Sequence, residues 1–320
     1  MIRRRSALIG MAAAVAAGAF ATQASFAQEK KTLAFVVNVP ADFWQIARRG
    51  TEKAQKELPN YNIEFYIPGE MSAAAQKRIL EDLLAKGVAG VSISPVNPDN
   101  STEILNQVAA KAALFTQDAD APKSNRALYI GTDNVAAGRQ AGEQMMKSLP
   151  NGGKAMVFVG TLDAANARER LQGIKEAIAG SKIEILDVRT DGGDQTKAKA
   201  NVEDTLTKYP NIDLLVGLWA YNTPQIYNAV KAAGKEGKVK IVGFDEDQQT
   251  LKGISENVID ATVVQQPYEF GYQSMIYLAK YIEGDKSFIP ENKQKIIPTQ
   301  VIDKTNVKDF AAKVRELLKK

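Results

Sequence analysis

The chain has 320 residues, a formal charge of +4, and neither Cys nor His. Arg3, Arg4 and Arg5 carry three of those positive charges in a stretch without acids, so the remainder is near +1 and lacks the basic excess of a nucleic-acid binder. Disulfides, Ser–His and Cys–His nucleophile pairs and the commonest metal ligands are excluded, whereas Ser–Lys and two-carboxylate chemistries survive.

Residues 1–27 read as a secretory signal peptide. The three arginines form its positive start, Ser6 to Ala21 its small apolar run, and Ser25 and Ala27 a small-x-small cleavage site before Gln28. As a membrane anchor the run is too short and too rich in Ala. Sec and twin-arginine export both stay open, and the absence of Cys argues against a lipid-anchored start. About 290 residues then remain, enough for two domains.

From Leu33 onward, apolar β-branched runs alternate with segments of helical spacing. Strands are expected at 33–38, 63–67, 88–94, 113–116 and 127–131, then at 154–160, 183–189, 214–218, 239–244 and 261–264. Helices are expected between them, including 73–86, 165–179, 197–208, 222–233 and 268–283, with an amphipathic tail at 308–320. Continuous apolar strands between amphipathic helices imply parallel sheets covered on both faces. Two series of similar length imply an α/β protein of two similar doubly wound lobes, divided near Gly131–Asn134. The segment 265–301, left over after the second series, is expected to cross back to the first lobe and so create a multi-strand hinge. The lobes then comprise 28–132 with 265–297, and 133–264 with 298–320. Asn100-Ser-Thr reads as a helix cap.

In such sheets ligands sit at the carboxyl ends of strands. Asn38 ends the first strand here, and Phe43 and Trp44 open the helix after it, placed for a cleft as well as for a core. The fourth strand leads to Asp118 and Asp120, and the sixth to Asp163, Asn166 and Arg168. Later strands lead to Trp219, Tyr221 and Asn222, to Asp245, and to Gln265. Any one of these polar residues serves equally as a helix cap. Together, on both lobes, they suit a polyhydroxylated guest. Asn38, Asp118, Asp120, Asp245 and Gln265 offer planar groups to paired hydroxyls, and Arg168 offers a fork of donors. Trp44 and Trp219, with Phe43 and Tyr221 as weaker candidates, offer flat faces to the C–H side of a sugar ring.

The segments YIGTDN (129–134), NARERLQG (166–173), KAKANVEDTL (197–206), VGFDED (242–247) and VVQQPYEFG (263–271), in this order, are specific. They give the chain from Lys31 to about Val301 a resemblance to periplasmic sugar-binding proteins of the ribose-binding type. These have the type I periplasmic binding protein fold and are the soluble components of ATP-binding-cassette sugar importers. The resemblance implies that Asn38, Phe43 and Trp44 form the first-lobe wall and that Asp118 is the carboxylate after the fourth strand. It implies roles for Arg168 as the second-lobe arginine, Asp245 as the carboxylate after GF, and Gln265 as the hinge-side amide. Asn166 joins this set, and Trp219 competes with Asn222 for one further place. Ribose binders carry Arg where this chain has Ala119, and an aromatic near Gly193, so ribose itself is in question and an inositol or other polyol stays open.

Residues and resemblance together imply a periplasmic monomer that binds a monosaccharide or polyol and hands it to a membrane permease, without cofactor, metal or nucleic acid. A sensor that presents its ligand to a chemoreceptor or sensor kinase is the alternative. A secreted carbohydrate enzyme working through Asp118 and Asp245 would be the other class, though neither a G-x-x-x-x-G-K-[ST] nor a G-x-S-x-G segment is present.

Overall fold

The computed structural model describes residues 30–319, so the signal-peptide reading lies outside the described residues. The first lobe opens with β1 (Lys31–Val36), α1 (Phe43–Glu57), β2 (Tyr61–Tyr66), α2 (Ala73–Ala85), β3 (Gly90–Ile93), α3 (Pro98–Lys111), β4 (Ala113–Gln117) and β5 (Leu128–Gly131). The second opens with α4 (Asn134–Ser148), β6 (Gly153–Val159), α5 (Ala165–Ala177), β7 (Ile183–Thr190) and α6 (Gln195–Lys208). It continues with β8 (Leu214–Gly217), α7 (Asn222–Ala232), β9 (Lys240–Phe244), α8 (Gln248–Ser255) and β10 (Ala261–Val264). The chain then returns through α9 (Pro267–Ile282) and β11 (Gln294–Ile296) before ending in β12 (Gln300–Asp303) and α10 (Val307–Leu318).

Strand order is β11-β5-β4-β3-β1-β2 in one sheet and β12-β10-β9-β8-β6-β7 in the other. Leaving out the late strands β11 and β12, both lobes follow one doubly wound order, which reverses beside the first strand of each. Burial explains why these segments are strands. Leu33, Phe35 and Val37 pack into one apolar cluster with α1 and α9, while Ala34 and Val36 pack into another with α2 and α3. Both faces of β1 are therefore dry, and truncating a side chain such as Phe35 to Ala would cost about 3–5 kcal/mol. The outer strand β7 is only partly buried: Ile183, Ile185 and Val188 pack into one second-lobe cluster and Leu186 against the other.

Caps set the helix starts. Ser72 Oγ accepts from the Ala75 amide at 3.0 Å. Asn97, with Pro98 behind it, caps α3 by accepting from the Asn100 amide at 3.0 Å. Asn100 is thus the capped residue and not the cap. β11 and β12 are too short to read as apolar runs, and β12 adds an antiparallel edge to an otherwise parallel sheet.

The chain passes between the sheets three times, at 132–133, 265–266 and 297–299. Thr132 Oγ1 donates to Gln265 Oε1 at 2.8 Å, tying two of these passages together. The lobes are in contact. Ile46 of α1 packs into a second-lobe cluster, and Ala220 packs into a first-lobe cluster.

Candidate functional site

The carboxyl ends of both sheets face each other across a cavity with about 330 Å³ of non-atom space out to its mouth. The first lobe contributes the turn after β1. Asn38 Oδ1 accepts from Trp44 Nε1 at 3.1 Å, fixing the indole, and Phe43 stands edge-on to it at 4.8 Å. Both rings are buried, in the first-lobe core on one side and lining the cavity on the other.

Asp118 follows β4 with φ at +59°, and Asp245 follows β9 with φ at +68°. Non-glycine residues adopt this left-handed region at a cost of about 1–3 kcal/mol each. The turns aim both carboxylates into the cavity. Asp118 Oδ2 accepts from Ser94 Oγ at 2.7 Å and, across the lobes, from Asn166 Nδ2 at 3.2 Å. Asn38 Nδ2 lies at 3.4 Å from the same oxygen. Asp245 Oδ1 accepts from Gln265 Nε2 at 2.9 Å.

Arg170 holds the centre. It lies one helical turn beyond Asn166 on α5 and is 1 % exposed. Its Nε donates to Asn134 Oδ1 at 3.0 Å and its Nη1 to the Leu218 carbonyl at 2.7 Å. Nη1 stands 4.0 Å from Asp245 Oδ2, and the guanidinium lies 4.5 Å over the Phe244 ring. Gly138 of α4 permits this placement, since a Cβ there would meet the Arg170 carbonyl at 2.2 Å.

Trp219 and Tyr221 form the second-lobe wall, edge to face at 6.3 Å. Three buried polar atoms of cavity residues have no partner among the described residues: Asn166 Oδ1, Arg170 Nη2 and Trp219 Nε1. The set offers one acceptor and two donors. Burial raises the Asp118 carboxyl above its ordinary range, against the pull of Arg170 and its donors. Burial likewise pushes Asp245 up to about 6, with Arg170 and Gln265 opposing and the Asp118 charge adding to the rise.

Residues 33–286 match the sequence profile of the periplasmic binding protein domain. The chain belongs to the periplasmic binding protein family. Ribose import binding protein RbsB of Salmonella typhimurium is 28 % identical over 272 residues, which is 83 % of this chain and 90 % of that protein. An ABC transporter solute-binding protein from Burkholderia graminis, solved with D-arabinose, superposes with a TM-score of 0.82 at 27 % identity, covering 87 % of this chain and 97 % of that one. GanP, a glucose–galactose binding protein from Geobacillus stearothermophilus, superposes with a TM-score of 0.81 at 27 % identity, covering 87 % and 99 %. The two-lobed α/β architecture of this periplasmic binding protein is that of these structures.

Of the residues expected from sequence, Asn38, Phe43, Trp44, Asp118, Asn166, Trp219, Tyr221, Asp245 and Gln265 line the cavity. Three do not. Asp120 is buried but spent on Arg126, whose Nε and Nη2 each reach one of its oxygens at 2.5 Å, and on Thr116 Oγ1 at 2.6 Å. Arg168 is exposed and donates to the Leu162 and Asp163 carbonyls at 2.9 and 2.5 Å. It precedes Arg170 by two residues, about 200° around a helix, and so faces away. Asn222 lies behind the wall, bonded to Asp191 and to the Trp219 amide, and Trp219 alone of that pair lines the cavity. Arg170 and the backing residue Asp191 are not among the residues that sequence points to. For Arg170 a signal exists: the i, i+4 spacing from Asn166 puts the two on one helix face.

Proposed function

We propose that this protein captures a monosaccharide or related polyol between its lobes in the periplasm, without chemical change, and presents it to the membrane permease of an ATP-binding-cassette importer. The observation that carries this reading is the convergence of free Asn166 Oδ1, Arg170 Nη2 and Trp219 Nε1 with two carboxylates and four aromatic rings on one small interlobe cavity. Hydroxyls that donate and accept match the polar set, and the C–H face of a ring matches the indoles. The relatives named for ribose, D-arabinose and glucose–galactose support the same class of guest. A guest favours closure by the contacts it makes to both lobes at once, added to the bonds the lobes already make to each other. The permease then reads two lobe surfaces that only the closed form holds together.

The test is a thermal-shift and calorimetric panel of D-ribose, D-arabinose, D-fucose, D-glucose and myo-inositol, with each compound recovered afterwards. A raised melting temperature with a guest returned intact is expected. Indifference to the whole panel, or a chemically altered product, overturns the reading.

A further inference from the structure

Behind the second-lobe wall lies a carboxylate outside the cavity lining. Asp191 follows β7 and is 2 % exposed. Its Oδ1 accepts from the Tyr221 hydroxyl at 2.5 Å and from the Gly193 amide at 2.8 Å, and its Oδ2 accepts from Asn222 Nδ2 at 3.0 Å. Asn222 Oδ1 in turn accepts from the Trp219 amide at 3.1 Å. A continuous run of hydrogen bonds therefore joins one buried charge to the Tyr221 ring directly and, through Asn222, to the backbone that carries Trp219. Bonds to an ionised acceptor are roughly twice as strong as neutral ones. Burial lifts the Asp191 carboxyl above its ordinary range, and the donors from Tyr221, Gly193 and Asn222 pull it back.

The run also reaches the first lobe. Gly193 sits at φ +82°, and a Cβ there would lie 3.1 Å from Met71 Cβ and 3.3 Å from Val39 Cγ2, both first-lobe atoms. The turn that Asp191 holds is thus a place where the closed lobes meet. Beneath the wall Gly160 is closer still, since a Cβ on it would stand 2.1 Å from Trp219 Cζ3. The indole is confined from below by the Gly160 backbone, and the segment that carries it is held from behind by Asp191 through Asn222.

We propose that Asp191 is the positioning residue of the aromatic wall: it sets the orientation of Trp219 and Tyr221 and links that orientation to the lobe–lobe contact at Gly193. The wall's part in holding a sugar rests on the function proposed above, whereas the orientation itself does not, and the experiment separates the two.

Trp44 and Trp219 are the chain's two tryptophans. Trp44→Phe leaves Trp219 as the sole reporter in ligand-free protein. On that background Asp191→Ala is expected to red-shift the emission and increase acrylamide quenching, and Asp191→Asn, which keeps an acceptor oxygen, to restore most of the native signal. With Trp44 intact, Asp191→Ala is expected to weaken binding of D-ribose or D-arabinose roughly tenfold through faster dissociation, on the order of one lost charge-assisted bond, and Asp191→Asn by less than about threefold. A merely structural role would lower the melting temperature without this order of rescue. Unchanged Trp219 emission in Asp191→Ala overturns the proposal. Should Asp191→Ala not fold, Tyr221→Phe and Asp191→Asn decide it: their emission changes are non-additive if the bond between them is the cause, and additive changes overturn it. If the native chain binds no sugar, the function fails and the emission arm still judges Asp191.

Discussion

Removing the guanidinium of Arg170 tests the site most directly. In Arg170→Met the chain keeps its length and apolar stem, but Asn134 Oδ1 and the Leu218 carbonyl lose their donor and Asp245 loses its counter-charge. Both ions are almost fully buried, so no solvent discount applies, and breaking such a pair costs about 3–5 kcal/mol. A domain stable by about 5–15 kcal/mol survives that loss. Affinity falls separately, because the unpartnered Nη2 goes with the head group. A charged donor contributes about 1.5–3 kcal/mol per bond, or roughly 10- to 150-fold in Kd. The loss of stability also depends on pH. Asp245 titrates near 6 beside Arg170 and will titrate higher without it, so at pH 5 it takes a proton and no unpaired charge remains. Urea unfolding should therefore show a smaller deficit at pH 5 than at pH 8, and calorimetry should show weakened sugar binding at both. Arg168→Ala, on the exposed face of the same helix, is the control and should keep its Kd within about twofold. An Arg170→Met protein that binds sugar as the native chain does, or an Arg168→Ala protein that does not, would refute the placement of the arginine.

Arg126→Met should lower stability by about 3–5 kcal/mol in denaturant while leaving sugar affinity within about twofold, because the Asp120–Arg126 pair is buried outside the cavity. Gly160→Ala drives a methyl group into Trp219 and should weaken binding at least roughly tenfold, with a stability change of about 1–3 kcal/mol by the usual measure of overpacking; unchanged affinity would mean that the indole is not held where it lies. Asn166→Ala removes a hydrogen bond between the lobes, so the ligand-free protein should show a larger radius of gyration in X-ray scattering. Burial raises both Asp245, to about 6, and Glu246, well above the ordinary carboxyl range, and both Glu246 oxygens lack partners among the described residues. For a raised acid, the stabilisation is complete below the ordinary carboxyl pKa and is lost as pH rises through the folded-state value. The melting temperature of the ligand-free protein should thus fall between pH 5 and 8, and Glu246→Gln should flatten the fall.

The lobes were legible because their central strands are buried on both faces and so read as unbroken apolar runs. Ala261–Val264 is found at the very residues expected, and most other strands start or stop within two residues of the expectation. β11 and β12 were not legible. Three or four mixed residues become strands because β5 and β10 offer open edges, a property of the sheets and not of the segments. In the site, the aromatic and amide positions followed from their places at strand ends. NARERLQG holds two arginines, and the resemblance points to Arg168 where helix phase puts Arg170 on the cavity side with Asn166. Asp120 went astray because its partner Arg126 lies six residues on, in a loop without periodicity. Asp191 gives no sign, since its importance comes from Tyr221 and Asn222 reaching it from the start of α7.

The three passages between the sheets have a consequence for how the molecule comes to exist. Ile130 is paired with Lys295, and Val263 with Val301, so neither sheet has its final edge until nearly the whole polypeptide is available. Pairings so distant along the chain close slowly, and an unfinished edge invites the wrong neighbour. A product stopped before Gln294 would leave β5 and β10 bare together, two adhesive rims on one molecule. Neither half can be cut out at Gly131 as a self-sufficient piece, because the N-terminal fragment would lack α9 and the C-terminal fragment would carry it with nothing to cover. Assembly of the two halves is thereby a single event, timed by the last thread of backbone to arrive.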